Sequence, residues 1–267
     1  MTVDIPYFHV DAFTGRVFAG NPAGVCLLSD WPADDILQAI AAENRLSETA
    51  FLVGSGCSYA LRWFTPESEV DLCGHATLAS AFVLHEHTAI GTDDTLSFQS
   101  QSGTLSVSRQ GDLFTLDFPA RPGTPCPPSA ELTAALGIEP EAVFSARDLM
   151  AVLPDRKTVA ELRPDFSLLA GLDCLGVIVT APDDEVDFVS RFFAPGAGVP
   201  EDPVTGSSHC TLIPYWAERL GKDTLHARQI STRGGDLFCQ NQGGRVLISG
   251  RAIEYLSGTL HIPDNGF

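Results

Sequence analysis

The sequence is poor in cations: 16 Lys and Arg stand against 34 Asp and Glu among 267 residues, a formal net charge of −18. None of the cations cluster. A surface that tracks phosphates needs such clusters, so nucleic acid is not expected as a partner. Long apolar runs are missing too. The most apolar stretch, around Ala76 to Leu84, falls far short of the about 20 residues that span a bilayer. The opening "MTVDIPYFHVDAF" has neither a basic region nor a long apolar core, so a cytoplasmic protein with no membrane partner is expected. There is no CxxC pair. Seven cysteines, at 26, 57, 73, 126, 174, 210 and 239, are scattered and odd in number, which fits reduced thiols better than a disulfide framework. A Walker loop, a GxGxxG after a strand and a GxSxG elbow are all absent, so neither nucleotide binding nor a serine nucleophile has motif support. The surplus acid favours solubility and says nothing of a substrate.

What is present is a large apolar fraction, 44%, enough for a sizeable core, and an internal repeat. "RWFTP" at Arg62–Pro66 returns as "RFFAP" at Arg191–Pro195, an offset of 191 − 62 = 129 residues. Each copy leads through an acidic loop to a glycine, Gly74 or Gly206, and then to a helical run. A strand meander with Gly-Asp-Leu-Phe follows each helix, at Gly111–Phe114 and Gly235–Phe238. Upstream, strands over Tyr7–Phe13, Ala23–Leu28 and Thr49–Val53 flank a helix over Ala33–Asn44. Their counterparts are Ala142–Ala146, Leu149–Leu153, a helical stretch within Arg156–Leu172, and Leu175–Thr180. "SDWPADD" supplies a Ser/Asp cap, a proline near the first helical position and early acids. Between the halves, "FPARPGTPCPPSA" holds five prolines and reads as a stiff linker. The expected domains are therefore 1–118, a linker over 119–130, and 131–267.

If matching loops of two like halves meet, the helix starts at Gly74 and Gly206 form an anion site. The first N–H groups of a helix lack internal partners, and glycine admits a ligand close to the backbone. Glu48, at a helix-to-strand junction, is a candidate acid/base. Asp202 could accept from a substrate ammonium or hydroxyl, or merely order its loop. Ser207 is either a donor or a cap. His75, which titrates near neutrality, is a proton relay or a local hydrogen-bonding group. Cys73 sits where a helix lowers a thiol pKa, which would suit a two-thiol racemase. Counted from the arginines its counterpart is Asp202; counted from the glycines (206 − 74 = 132) it is Thr205. Neither is a cysteine. A metal held by Cys73, His75, His209 and Cys210 matches no zinc spacing, so no metal is expected.

"DAFTGRVFAGNPAGV", "LSETAFL", "FTPESEVDLCGHATLASAFVL" and "EDPVTGSSH", in that order along nearly the whole chain, resemble the PhzF (phenazine biosynthesis-like) family. The resemblance implies an α+β, diaminopimelate epimerase-like fold. Two pseudo-symmetric halves would each wrap a β-barrel-like sheet around a central helix, with the active site in the cleft between them. It implies a cofactor-independent isomerase of a small carboxylate, from a family whose members are often homodimers. The acid/base glutamate transfers to Glu48, and substrate contacts to Gly74, His75, Asp202, Gly206 and Ser207. Asn21 in "GNPAGV" is similar to a substrate-facing asparagine of epimerase relatives. The epimerases' second cysteine is missing, which leaves Cys73 outside the chemistry. A Cys73-dependent racemase and a non-catalytic anion-binding protein on this fold are the alternatives.

Overall fold

The computed structural model describes residues 2–263, and its chain divides into two units, one from the N-terminus to Asp117 joined by the segment from Ser249, the other Phe118–Ile248.

The first unit contains β1 (Thr2–Ala12), β2 (Asn21–Leu28), α1 (Asp34–Asn44), β3 (Glu48–Ser55), β4 (Ser58–Phe64), β5 (Glu69–Val70), α2 (Gly74–His87), β6 (Leu96–Ser100), β7 (Gly103–Gln110) and most of β8 (Leu113–Pro119). β1 lies antiparallel to β2, and β2 runs parallel to β3 across α1. β3 turns back into β4, which pairs antiparallel with β5 and, across α2, parallel with β6. α2 has almost no polar face: Gly74 to Ala81 and Val83 to His85 are buried. A helix apolar all round belongs inside a core, and α2 packs against β1, β2 and β3. α1 buries only Leu37, Ile40 and Ala41, which join Ile5, Cys26, Phe51 and Phe64 in a second cluster on the outer side.

The second unit repeats this order. It contains β9 (Thr124–Cys126), α3 (Ala130–Leu136), β10 (Ala142–Ser145), β11 (Leu149–Val152), α4 (Arg156–Glu161), α5 (Phe166–Ala170), β12 (Val177–Pro182), β13 (Phe188–Ala194), β14 (Val199–Asp202), α6 (Gly206–Leu220), β15 (Thr224–Gln229), β16 (Gly235–Asn241) and most of β17 (Arg245–Gly250). β11 and β12 are parallel across α4 and α5, β12 and β13 antiparallel, and β13 pairs antiparallel with β14 and parallel with β15 across α6.

The shared Arg-x-Phe-x-Pro has a structural reason. In β4 the Arg62 guanidinium donates both Nε and Nη2 to Glu69 (2.7 and 2.8 Å) and lies 5.1 Å from the Phe64 ring centre. In β13 Arg191 does the same to Glu201 (2.7 and 2.9 Å), 4.9 Å from Phe193. Each arginine ties the short strand before the central helix to the strand that carries it, through a planar two-point pair. The arginine-to-glutamate spacing is seven residues in one unit and ten in the other. A 3-10 turn at Pro195–Ala197 occupies the loop that carries this difference. The offset thus grows from 129 to 132, and the glycine count is the correct one beyond it.

Four expectations change. The second half does not run from 131 to 267: the last strand, β18 (Ala252–Pro263), lies in the first unit, antiparallel to β1 from Thr2↔Pro263 to Ala12↔Ala252. It gives the outer edge of β1 the backbone partners that the first half of the sequence does not supply. Residues 119–130 are not a free linker. β9 pairs with β10, the Ala120 N–H donates to Gly244 O (3.0 Å), and the Arg121 N–H to Cys210 O (2.9 Å). That last bond explains Pro214 inside α6: proline has no N–H to offer the carbonyl four residues back, and Arg121 supplies one. The N-cap of α1 is Ala33, which offers no side-chain cap, and Pro32 lies outside the helix, although Asp34 and Asp35 do stand in its first turn. The second Gly-Asp-Leu-Phe opens β16, whereas the first opens with a turn at Gly111 (φ 62°) and runs into β8, one strand out of step. That likeness is fortuitous.

Candidate functional site

Two tight backbone features deliver the first unit's polar groups. Gly20 adopts φ +65°, and a Cβ there would lie 2.1 Å from Ala12 O, so only glycine can end the β1–β2 loop and start β2 at Asn21. Arg45, in the left-handed region at φ 53°, ends α1, and Ser47 and Glu48 follow at once. Parallel pairing sets Glu48 opposite Ala23. α2 starts where β5 ends and brings in Cys73 and His75.

Around His75 these groups converge. Glu48 Oε2 lies 3.2 Å from His75 Nε2, and neither atom makes a hydrogen bond of proper geometry within the described residues. On the other side of the ring, Asn21 Nδ2 lies 3.1 Å and Cys73 Sγ 3.5 Å from Nδ1. Asn21 Oδ1 in turn accepts from Ser47 Oγ at 3.3 Å. Asn21, Cys73 and His75 are buried, while the Glu48 side chain retains 19% exposure. The carboxylate is the group of this cluster that solvent, or a ligand, can reach.

Burial, reinforced by the charge of Glu48, pushes the Cys73 thiol above its ordinary value, so near neutral pH the sulfur is S–H. The helix start does not activate it. For His75, burial favours the neutral ring, and a charge on Cys73 or Glu48 favours the imidazolium; the net direction is upward. That upward direction counts a charge on Cys73 which the S–H form lacks; with it gone, burial, the largest single influence, favours the neutral ring against the Glu48 carboxylate.

The second unit's polar residues make a separate network. Asp202 closes β14, Oδ2 accepting from the Thr205 hydroxyl. Gln229 at the end of β15 is fully buried and touches the same loop three times. Its Oε1 accepts the Thr205 N–H (2.9 Å), while Nε2 donates to Asp202 O (2.8 Å) and Thr205 Oγ1 (3.2 Å). Ser207 is half-buried and Gly206 buried at the start of α6. Neither α2 nor α6 has a side-chain cap, which leaves the amides at Gly74 and Gly206 without that competitor. His209, pushed down to about 4 by burial, donates Nδ1–H to Thr205 O at 2.8 Å. Thr77 makes the equivalent bond to Cys73 O at 2.6 Å. His209 is thus a helix-start brace.

The common framework shows which residues match. The N-caps of the central helices are Cys73 and Thr205. Val70 opposes Trp63 as Asp202 opposes Phe192, so Asp202 matches Val70. Thr49 opposes Phe64 as Val177 opposes Phe193, which places Gly176 at the position of Glu48. A Cβ on Gly176 would lie 2.4 Å from Phe192 Cζ, so packing forbids a second carboxylate there. Neither a thiol pair nor a carboxylate pair is built into the repeat.

Glu48, Cys73 and His75 bring one ligand atom each within 4.8 Å of one another, a spacing a metal ion could use. The ring orientation opposes it. Cys73 is on the Nδ1 side and Glu48 on the Nε2 side, and an ion held in the ring plane by one nitrogen faces away from the other's partner. Ser47, Thr205 and Gln229 escape a reading of sequence alone. The glycine offset signals Thr205; nothing local signals Gln229.

The model of the phenazine biosynthesis-like protein family matches residues 10–258. A Pseudomonas aeruginosa protein named as an uncharacterized isomerase is 54% identical over 260 residues, 97% of this chain and 100% of the relative. The crystal structure of a PhzF-family phenazine biosynthesis protein from Enterococcus faecalis has a TM-score of 0.94 at 51% identity, covering 97% of this chain and 99% of that one. A hydroxyproline epimerase from Agrobacterium vitis, 11% identical, shares the fold alone, with a TM-score of 0.62 over 98% of this chain and 94% of its own. The architecture is α+β and diaminopimelate epimerase-like.

Proposed function

From the premise that the chain belongs to the phenazine biosynthesis-like (PhzF) family, we propose that it is an isomerase that moves a proton between carbons of a small carboxylated substrate, with Glu48 as the acid/base and no cofactor. The relative named as an isomerase supports the reaction class. The observation that carries the mechanism is the partly exposed Glu48 carboxylate facing His75 Nε2 at 3.2 Å, both atoms with hydrogen-bonding capacity in hand.

In this reading the Glu48 carboxylate takes a proton from a carbon next to an unsaturated or carboxyl-bearing position. The C–H electrons pass into the adjacent π system, and the same carboxyl returns the proton to a different carbon. Nothing is oxidised or reduced. His75 Nε2–H steadies the carboxylate or donates to the substrate. The repeat offers no second base, since its place is Gly176, so one carboxyl performs both transfers. The uncapped starts of α2 and α6, at Gly74 and Gly206, are the proposed anion-holding elements, with Asp202 and Ser207 as polar contacts. Asp202 is kept in one orientation by Thr205 and Gln229.

Deuterium uptake from heavy water into a panel of small amino and cyclic carboxylates, followed by mass spectrometry, tests this. Wild type is expected to label at least one compound, and Glu48→Gln to lower the rate about 10²–10⁴-fold, the usual share of a general acid/base. Full labelling by Glu48→Gln would move the chemistry elsewhere.

A further inference from the structure

Asn21 is fully buried, and its amide nitrogen lies against the imidazole of His75. In the structure Oδ1 accepts from the Ser47 hydroxyl and Nδ2 faces His75; a turned-over amide would instead need a proton on Nδ1, where the Cys73 S–H also points and where a proton would leave bare Nε2 facing the Glu48 carboxylate. An NH₂ group has protons to give and no lone pair to offer, so His75 Nδ1 has to be the acceptor of the 3.1 Å contact. Cys73 adds a second donor at the same nitrogen: its thiol, kept protonated, lies 3.5 Å away. Two donors therefore meet at Nδ1, and an acceptor, Glu48 Oε2, stands at Nε2.

We propose that Asn21 is a positioning residue which, together with the Cys73 thiol, holds neutral His75 in the tautomer with its proton on Nε2, the side of the ring that faces the Glu48 carboxylate. The alternative tautomer would set Nδ1–H against the Asn21 NH₂ and leave bare Nε2 facing a carboxylate oxygen at 3.2 Å. Both contacts would become repulsive. The consequence for activity rests on the isomerase reading; the tautomer does not. With Nε2–H in place, His75 can lend a proton at the face where Glu48 works, and buried Asn21 and Cys73 fix that orientation without touching substrate.

The test is long-range ¹H–¹⁵N correlation of the imidazoles in the full-length ligand-free protein, with the His75 signals identified as those missing from His75→Gln. Wild type is expected to show a pyridine-like Nδ1 and a protonated Nε2. In Asn21→Asp a carboxylate replaces the donor, and Nδ1 should become protonated. Should that variant not fold, Cys73→Ala serves in its place, since it removes the second donor at Nδ1, leaves the amide free to turn over and should give a mixture of both tautomers. In the heavy-water assay, kcat should fall tenfold or more for Asn21→Asp, with KM changed less than threefold. A protonated Nδ1 in neutral wild-type His75, or a tautomer unmoved by both variants, would overturn the assignment. If the tautomer moves as stated but no compound labels with wild type, the positioning stands and the isomerase reading fails.

Discussion

Asp148 sits in the turn between β10 and β11, 3% exposed, with Oδ1 lacking a hydrogen-bond partner among the described residues. Burial pushes its pKa from an ordinary 3.8 up to about 6, even though Arg147 and Arg121 pull the other way. The folded chain therefore holds this proton more tightly than the unfolded chain does. Stability from Asp148 is fully present below about pH 4, falls as pH rises between 4 and 6, and is gone by pH 7. The shift of 6 − 3.8, at 1.36 kcal/mol per unit, makes the ionised carboxylate cost about 3 kcal/mol. Asp148→Asn keeps the shape and removes the charge. It should be more stable than wild type by up to about 3 kcal/mol at pH 7–8, roughly 6–12 °C in Tm for a chain of this size. The advantage should shrink through pH 6 and vanish near pH 4. Thermal unfolding by circular dichroism from pH 4 to 8 measures it. A variant less stable than wild type at pH 8, or a difference that does not change with pH, would refute the reasoning.

Gly176→Ala forces a methyl group to within 2.4 Å of the Phe192 ring and should cost about 1–3 kcal/mol. Phe192→Leu in the same chain should recover part of the loss, and a melting temperature unmoved by the single change would show that the ring yields freely. Cys73→Ser should keep activity within about tenfold of wild type, as fits a protonated, buried thiol that reacts with no substrate. Activity lost to the level of Glu48→Gln would establish a thiol mechanism instead. In wild type, iodoacetamide at pH 7 should modify half-exposed Cys57 well before buried Cys73; the reverse order, read by peptide mass mapping, would mean an activated sulfur.

Much of the fold was legible because its signals are local. Hydrophobic periodicity places α1, α2, β2 and β3 within two or three residues, whereas β1 starts at Thr2, five residues before its expected start at Tyr7. The Arg-x-Phe-x-Pro repeat marks two strands that carry the same arginine–glutamate clamp. The motifs of the family resemblance point to Glu48 and His75, which the structure brings to 3.2 Å of each other. What escaped is non-local. β18 belongs with β1 although Thr2 and its partner Pro263 are 263 − 2 = 261 residues apart. The proline-rich segment looks like a tether because its prolines are visible, while the carbonyls and strand it serves are not.

The sequence by itself determined the duplication, the central helices, the absence of a long apolar span and the identity of the acid/base candidate. Periodicity, glycine positions and residue chemistry are properties of neighbouring residues. Tertiary structure alone decided that Asn21 serves His75, that Gln229 orders the loop of Asp202, that Cys73 stays a thiol, and that Gly176 leaves no room for a second base. Each of those follows from what lies across a few ångströms of space from a distant segment, and there hydrogen-bond direction, burial and steric exclusion decide a residue's chemistry.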